Sequence, residues 1–157
     1  MINTMYEKIL IPTDGSETAE AAIDHAVDLA EQYGAELHGL YVVDKNAVSI
    51  TLGSEQVDRL ETGRFDELPE VKQRAEDALD VVSEKADQSG LAVTGEIRIG
   101  QPQRVIRDYI EDEDIDLVVM GSAGRGGIRR QILGSVTERV LRSTDVPVLV
   151  VDIKGKR

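Results

Sequence analysis

The chain of 157 residues is long enough for one domain with a buried core. Its formal charge of -12 repels nucleic acids and anionic membrane surfaces, so neither is an expected partner, and an anionic ligand would need a local positive site. With no cysteine there is no disulfide, thiol nucleophile or thiolate metal site, and with 3% aromatic residues the core must be aliphatic, which suits parallel strands covered by helices.

No stretch approaches membrane-spanning length, and "MINTMYEKILIPTD" lacks the charged start and long apolar run of a signal peptide, which predicts a cytoplasmic protein. The first apolar run, "YEKILIPT", reads as a strand ended by Pro12 and a turn at Asp14-Gly15-Ser16. Ala19, Ala22, Ile23, Ala26, Val27, Ala30 and Tyr33 then fall at helical spacing, with Ser16 able to cap the start, Glu17 and Glu20 suited to the dipole there, and Gly34 at the end. "ELHGLYVVD" is the second strand, followed by a polar and poorly periodic insert at about 45–68. Pro69 opens a helix whose apolar stripe is Val71, Ala75, Ala78, Val82 and Ala86, stopped at Gly90. "LAVTGEIRIG" is a third strand; Pro102 opens a helix with Val105, Ile106, Tyr109 and Ile110 inward; "DLVVMG" is a fourth strand, 134–143 a last helix and "VPVLVV" a fifth strand. Strict alternation of strands and helices predicts one α/β domain: an open parallel sheet with helices on both faces, binding ligands beyond the carboxyl ends of its strands.

The stretch "MGSAGRGGIRRQILGSVTERV" follows the fourth strand. Gly121, Gly124, Gly134 and Ser135 have the spacing G-x-x-G, nine residues, then G-[S/T], with Ser135, Val136 and Thr137 starting the last helix. Glycines let backbone N–H groups approach an anion, a helix start favours negative charge, and the hydroxyls of Ser135 and Thr137 add donors. Arg125, Arg129 and Arg130 supply local positive charge in an acidic chain. The alternative is a flexible loop of turn glycines and solvated arginines. The stretch has no P-loop lysine, which argues for holding a phosphate chain rather than rapid phosphoryl transfer; slow ATP hydrolysis or phosphoryl transfer at the same site is the rival reading, and no residue is assigned as catalytic. Asp14, at a strand end, can hydrogen-bond a ribose or help hold Mg²⁺ through water, or serve as a turn or capping residue.

Strand 1 ending "PTDGSE", strand 2 ending "VVD", "VVMGSAGRGG" and "LGSVTERVLRSTDVPVLVV" together resemble the universal stress protein family in its ATP-binding branch, over the whole chain apart from the insert. The resemblance implies a five-stranded parallel sheet in order 3-2-1-4-5, Rossmann-like, in a single domain over 1–157, with strands 1 and 4 side by side. By position it implies that Pro12, Thr13 and Asp14 line the nucleotide, Val42 meets the adenine through its backbone, and Met120 and Gly121 border the ribose. Gly124, Gly134, Ser135, Val136 and Thr137 would hold the phosphates of ATP, with Mg²⁺ near Asp14. It further implies a homodimer through the fifth strands and a stress-response or signalling role with an unknown partner. Ala123 departs from the pattern, since relatives often carry a polar residue such as His there.

Four features read as structural. His25 and His38 have no second metal ligand at suitable spacing, and each is expected to be a surface or a satisfied core residue. "EDEDID" reads as a solvated connection, and Tyr41, which could stack on an adenine, is explained as well by a core position and is left out of the site. A response-regulator phosphoacceptor is disfavoured because strand 3 ends "RIGQP" without an acceptor Asp, and a flavin carrier because the chain lacks stacking aromatics.

Overall fold

The computed structural model describes residues 5–44, 69–123 and 133–153. In chain order these form β1 (Lys8–Pro12), α1 (Glu17–Tyr33), β2 (Glu36–Asp44), α2 (Pro69–Gln88), β3 (Val93–Gly100), α3 (Pro102–Asp112), β4 (Leu117–Gly121), α4 (Ser135–Ser143) and β5 (Val148–Val151). The five strands make one parallel sheet in order β3-β2-β1-β4-β5, the expected architecture. The expected insert at 45–68 and the Gly124 to Ile132 part of the glycine-rich stretch lie outside the described residues.

Alternation along the strands divides the core into two layers. Ile9, Ile11, Leu37, Leu117 and Val119 point to one face, where α1 and α2 cover them with Ala22, Ile23, Ala26, Ala30, Val82 and Ala86. Leu10, Leu40, Val118 and Met120 point to the other, under Ile106, Tyr109 and Ile110 of α3 and Val140 of α4. The central β1 is therefore buried on both sides, which is why "ILI" is continuous rather than alternating with polar residues. Each such side chain contributes about 1.5–3 kcal/mol relative to its exposed state. Tyr41 and Val43 extend the first layer against Ala75 and Ala78 of α2, so Tyr41 is a core residue. Gly39 brings α2 close to β2: a Cβ there would lie 3.3 Å from Leu79 and from Val82.

The helix ends follow local chemistry. The Ser16 hydroxyl accepts the Ala19 N–H, Glu17 and Glu20 sit in the first turn of α1, and the Gly34 N–H donates to Ala30 at its end. The last helix begins at Ser135, where the glycine-rich stretch places its start, rather than at 134. Gly134 is extended (φ -63°, ψ 153°) and acts as the N-cap of α4, so Ser135 is its first helical residue.

Under α3, a polar group crosses the second layer. His38 is buried, with Nδ1 sharing a hydrogen bond of 2.7 Å with the Tyr109 hydroxyl and Nε2 one of 2.7 Å with Glu36. The Arg98 guanidinium lies 4.7 Å above the Tyr109 ring centre and also pairs with Glu96 and Asp112. His38 is thus the satisfied core residue, whereas His25 is exposed on α1.

Burial, followed by the negative charges of Glu96, Glu113 and Glu36 and against the pull of Arg98, pushes the Tyr109 hydroxyl from its ordinary value near 10 up to about 12. A group whose folded value is raised keeps its stabilisation below the unfolded value and loses it as pH climbs to the folded one. Urea midpoints should therefore fall between about pH 10 and 12 in the wild type. Tyr109→Phe should start less stable at pH 8 and show a shallower fall across the same window, read by circular dichroism.

Candidate functional site

Strands β1 and β4 are neighbours, yet their following helices go opposite ways: α1 covers the first face and α4 the second. A crevice must open between two connections that diverge from adjacent strand ends. Pro12, Thr13 and Asp14 stand on one side of it, and Met120, Gly121 and the start of α4 on the other.

The β1 side is a tight polar turn. Thr13 is buried, its N–H donates to the Leu40 carbonyl (2.9 Å), and its hydroxyl accepts the Gly15 N–H (3.2 Å). Asp14 Oδ1 accepts the Ser16 N–H at 2.9 Å, an Asx turn that presets Ser16 as the cap of α1. Asp14 is a turn residue and also stands half-buried at the crevice.

Unequal strand lengths create the next feature. β1 has five residues and β2 nine, with Pro12 beside Leu40, so β2 continues beyond the end of β1. Backbone groups of a strand alternate sides. Because the Leu40 carbonyl faces β1, the N–H and C=O of Val42 face the space just past it. The Val42 side chain meanwhile packs against the α3 and α4 layer.

On the β4 side the chain is held at its root. A Cβ on Gly121 would lie 2.9 Å from the backbone carbon and the Cβ of Thr18, and 3.0 Å from its Oγ1, so the first turn of α1 rests directly on the end of β4. The Thr18 hydroxyl donates to the Ala123 carbonyl. The Thr137 hydroxyl donates to the Gly121 carbonyl at 2.9 Å, and the Gly134 N–H to the Ser122 carbonyl at 2.8 Å, which fixes the start of α4 beside β4.

That helix start carries an electrostatic consequence. The first N–H bonded within α4 is that of Glu138, to Gly134 (3.0 Å), and the glycine N-cap brings no side-chain oxygen to the preceding amides. The N–H groups of Ser135, Val136 and Thr137 thus sit outside the helix's own ladder at its positive end, an arrangement suited to an anion.

The sequence-derived candidates Pro12, Thr13, Asp14, Met120, Gly121, Gly134, Ser135, Val136 and Thr137 converge on this crevice, with Val42 one strand away. Gly124 and the three arginines Arg125, Arg129 and Arg130 lie outside the described residues. Two roles are narrower than the residue types suggest. The Met120 side chain is buried in the second layer, leaving its backbone at the crevice, and the buried Thr137 hydroxyl is committed to Gly121, leaving its N–H for a ligand. Thr18 and Ser122 are not singled out by the sequence pattern, although both hold the root of the glycine-rich stretch. Among the described residues no group of three or more His, Asp or Glu side chains could hold a metal ion, and no helix is long and apolar enough to cross a membrane.

A doubly wound parallel α/β sheet in the order β3-β2-β1-β4-β5 defines a protein of the Rossmann-like fold class. Within that class the chain belongs to the universal stress protein family: the model of the Universal stress protein family matches residues 5–152. Universal stress protein MJ0531 of Methanocaldococcus jannaschii is 36% identical over 148 residues, covering 94% of this chain and 82% of that one. Universal stress protein MJ0577 of the same organism is 33% identical over 164 residues, covering 98% and 99%. The solved structure of MJ0577 superimposes with a TM-score of 0.77, covering 97% of this chain and 99% of that one. An Archaeoglobus fulgidus universal stress protein in complex with dAMP shares the fold at 19% identity, with a TM-score of 0.62 over 94% and 98% of the two chains.

The Gly121 contact makes a stability prediction with an internal control. Gly121→Ala forces a methyl against the Thr18 backbone and should cost about 1–3 kcal/mol in urea unfolding. Gly95→Ala on β3, where the nearest atom is 3.7 Å away, should cost clearly less. Equal costs would show that the close approach at Gly121 is not what requires glycine.

Proposed function

We propose that the chain is an ATP-binding universal stress protein, a cytoplasmic homodimer that acts as a nucleotide-dependent stress-response or signalling module. The observation that carries this reading is the convergence of three chain segments on one crevice, with anion-suited amides at one end and exposed strand backbone at the other. The Ser135, Val136 and Thr137 amides receive phosphate, with Gly124 and the glycine N-cap Gly134 assisting them. Val42 offers an N–H and a C=O on one side of β2, a donor and acceptor pair complementary to the edge of adenine. Pro12, Thr13 and Asp14 line the nucleotide between these ends, and Met120 and Gly121 border the ribose through their backbone. The dAMP held by the Archaeoglobus fulgidus protein is an adenine nucleotide, in keeping with this assignment.

Magnesium fits the site as a companion of the phosphates. Asp14 brings one carboxylate to the crevice, and Mg²⁺ is commonly held by one or two carboxylates with phosphate oxygens and water. When bound, the ion would neutralise phosphate charge within a chain of net charge -12.

The dimer assignment rests on the edge strand. β5 carries Val148, Leu149, Val150 and Val151, with Leu149 exposed, and pairing of two such edges covers apolar surface and open backbone together. A partner protein that reads the nucleotide state completes the signalling role.

Thermal unfolding with and without ATP-Mg²⁺ tests the nucleotide reading. Ligand at 100 times its Kd adds about 2.7 kcal/mol, so the wild type should gain a few degrees or more. Gly124→Val should gain much less under the same conditions. No shift in the wild type, or an equal shift in Gly124→Val, would contradict the assignment.

A further inference from the structure

One residue of the glycine-rich stretch is tied to the carboxyl end of the last strand. Ser122 is buried and makes hydrogen bonds through its N–H, its carbonyl and its hydroxyl to two other segments. Its N–H donates to the Val151 carbonyl at the end of β5 (2.8 Å), and its carbonyl accepts the N–H of Gly134, the N-cap of α4 (2.8 Å). Its hydroxyl donates to Asp152 Oδ1 at 2.8 Å, and the same oxygen accepts the Ile153 N–H at 2.9 Å.

The consequence is mechanical. An anion drawn to the Ser135–Thr137 amides bears on the Gly134 cap, and that cap is bonded to Ser122. Ser122 is in turn bonded to both the last residue of β5 and the carboxylate that follows it. A serine hydroxyl on a carboxylate is a charge-assisted bond, stronger than a neutral one, and here it is shielded by burial of the serine.

We propose that Ser122 and Asp152 are positioning residues whose hydroxyl–carboxylate bond, added to the backbone bonds of Ser122, is what couples occupancy of the phosphate site to the ordering of the β5 edge. This inference rests on the nucleotide reading above. Binding reduces local opening of β5, and by reciprocity a firmly held β5 raises nucleotide affinity by the same factor. Among the described residues, the β3 edge at the far side of the sheet has no such link to α4.

Amide hydrogen exchange on the full chain, with and without saturating ATP-Mg²⁺, reads the coupling. In the wild type, ATP-Mg²⁺ should protect Ser135–Thr137 and slow exchange at β5 and Ile153 by about fivefold or more, the lower end of usual couplings, with β3 unchanged. Asp152→Ala should keep the protection at Ser135–Thr137 and lose the slowing at β5. Ser122→Ala should behave alike, whereas Asp152→Asn, which retains an acceptor oxygen, should preserve it. Protection at Ser135–Thr137 with β5 unaffected, or β5 slowing that survives both alanine variants, overturns the coupling and leaves nucleotide binding standing. No protection at Ser135–Thr137 in the wild type overturns the nucleotide reading and the coupling with it.

Discussion

At the carboxyl end of β4, Gly121 meets the backbone of Thr18, and a hydrogen atom is all that the space admits. This contact lets α1 start directly over the end of β4 although it belongs to β1. The two strand ends are thereby drawn together while their helices part to opposite faces. The Thr137 hydroxyl fastens α4 to the same glycine's carbonyl, and Thr18 holds the Ala123 carbonyl from the other side. The crevice, its anion-suited helix start and the stiffness of its rim all depend on these contacts around one residue.

The charge distribution fits such a site. An acidic surface discourages nonspecific anion binding, so an anion at this site would be drawn by oriented amides rather than by a general positive field. Backbone amides and a helix start are fixed in place and lose little entropy on binding, which favours holding a ligand reversibly.

Much of the fold was legible in the sequence because its signals are local. Apolar periods marked every described strand and helix, Ser16 and Gly34 marked the ends of α1, and Pro69 and Pro102 the starts of α2 and α3. The strand order came from the family resemblance rather than from periodicity, since no local pattern says which strands pair. The glycine and helix-start candidates were legible as a spacing and Pro12, Thr13, Val42 and Met120 through the family resemblance, but their roles required the third dimension. Thr137 spends its hydroxyl on Gly121, and Val42 turns its backbone to the crevice only because β1 stops short. Thr18 to Ala123 spans 105 positions and Ser122 to Asp152 spans 30, so neither contact leaves a trace in local pattern. His38 was left as surface or core until Tyr109, 71 residues away, supplied its second partner.

The central claim is that one crevice holds an adenine nucleotide by its two ends. A crystal structure of the protein with ATP-Mg²⁺ tests it most directly. The account predicts adenine within hydrogen-bond distance of the Val42 backbone and phosphate oxygens on the Ser135–Thr137 amides, with Asp14 facing the ribose and metal. ATP bound elsewhere, or a nucleotide in the crevice with its phosphates turned away from α4, would contradict it.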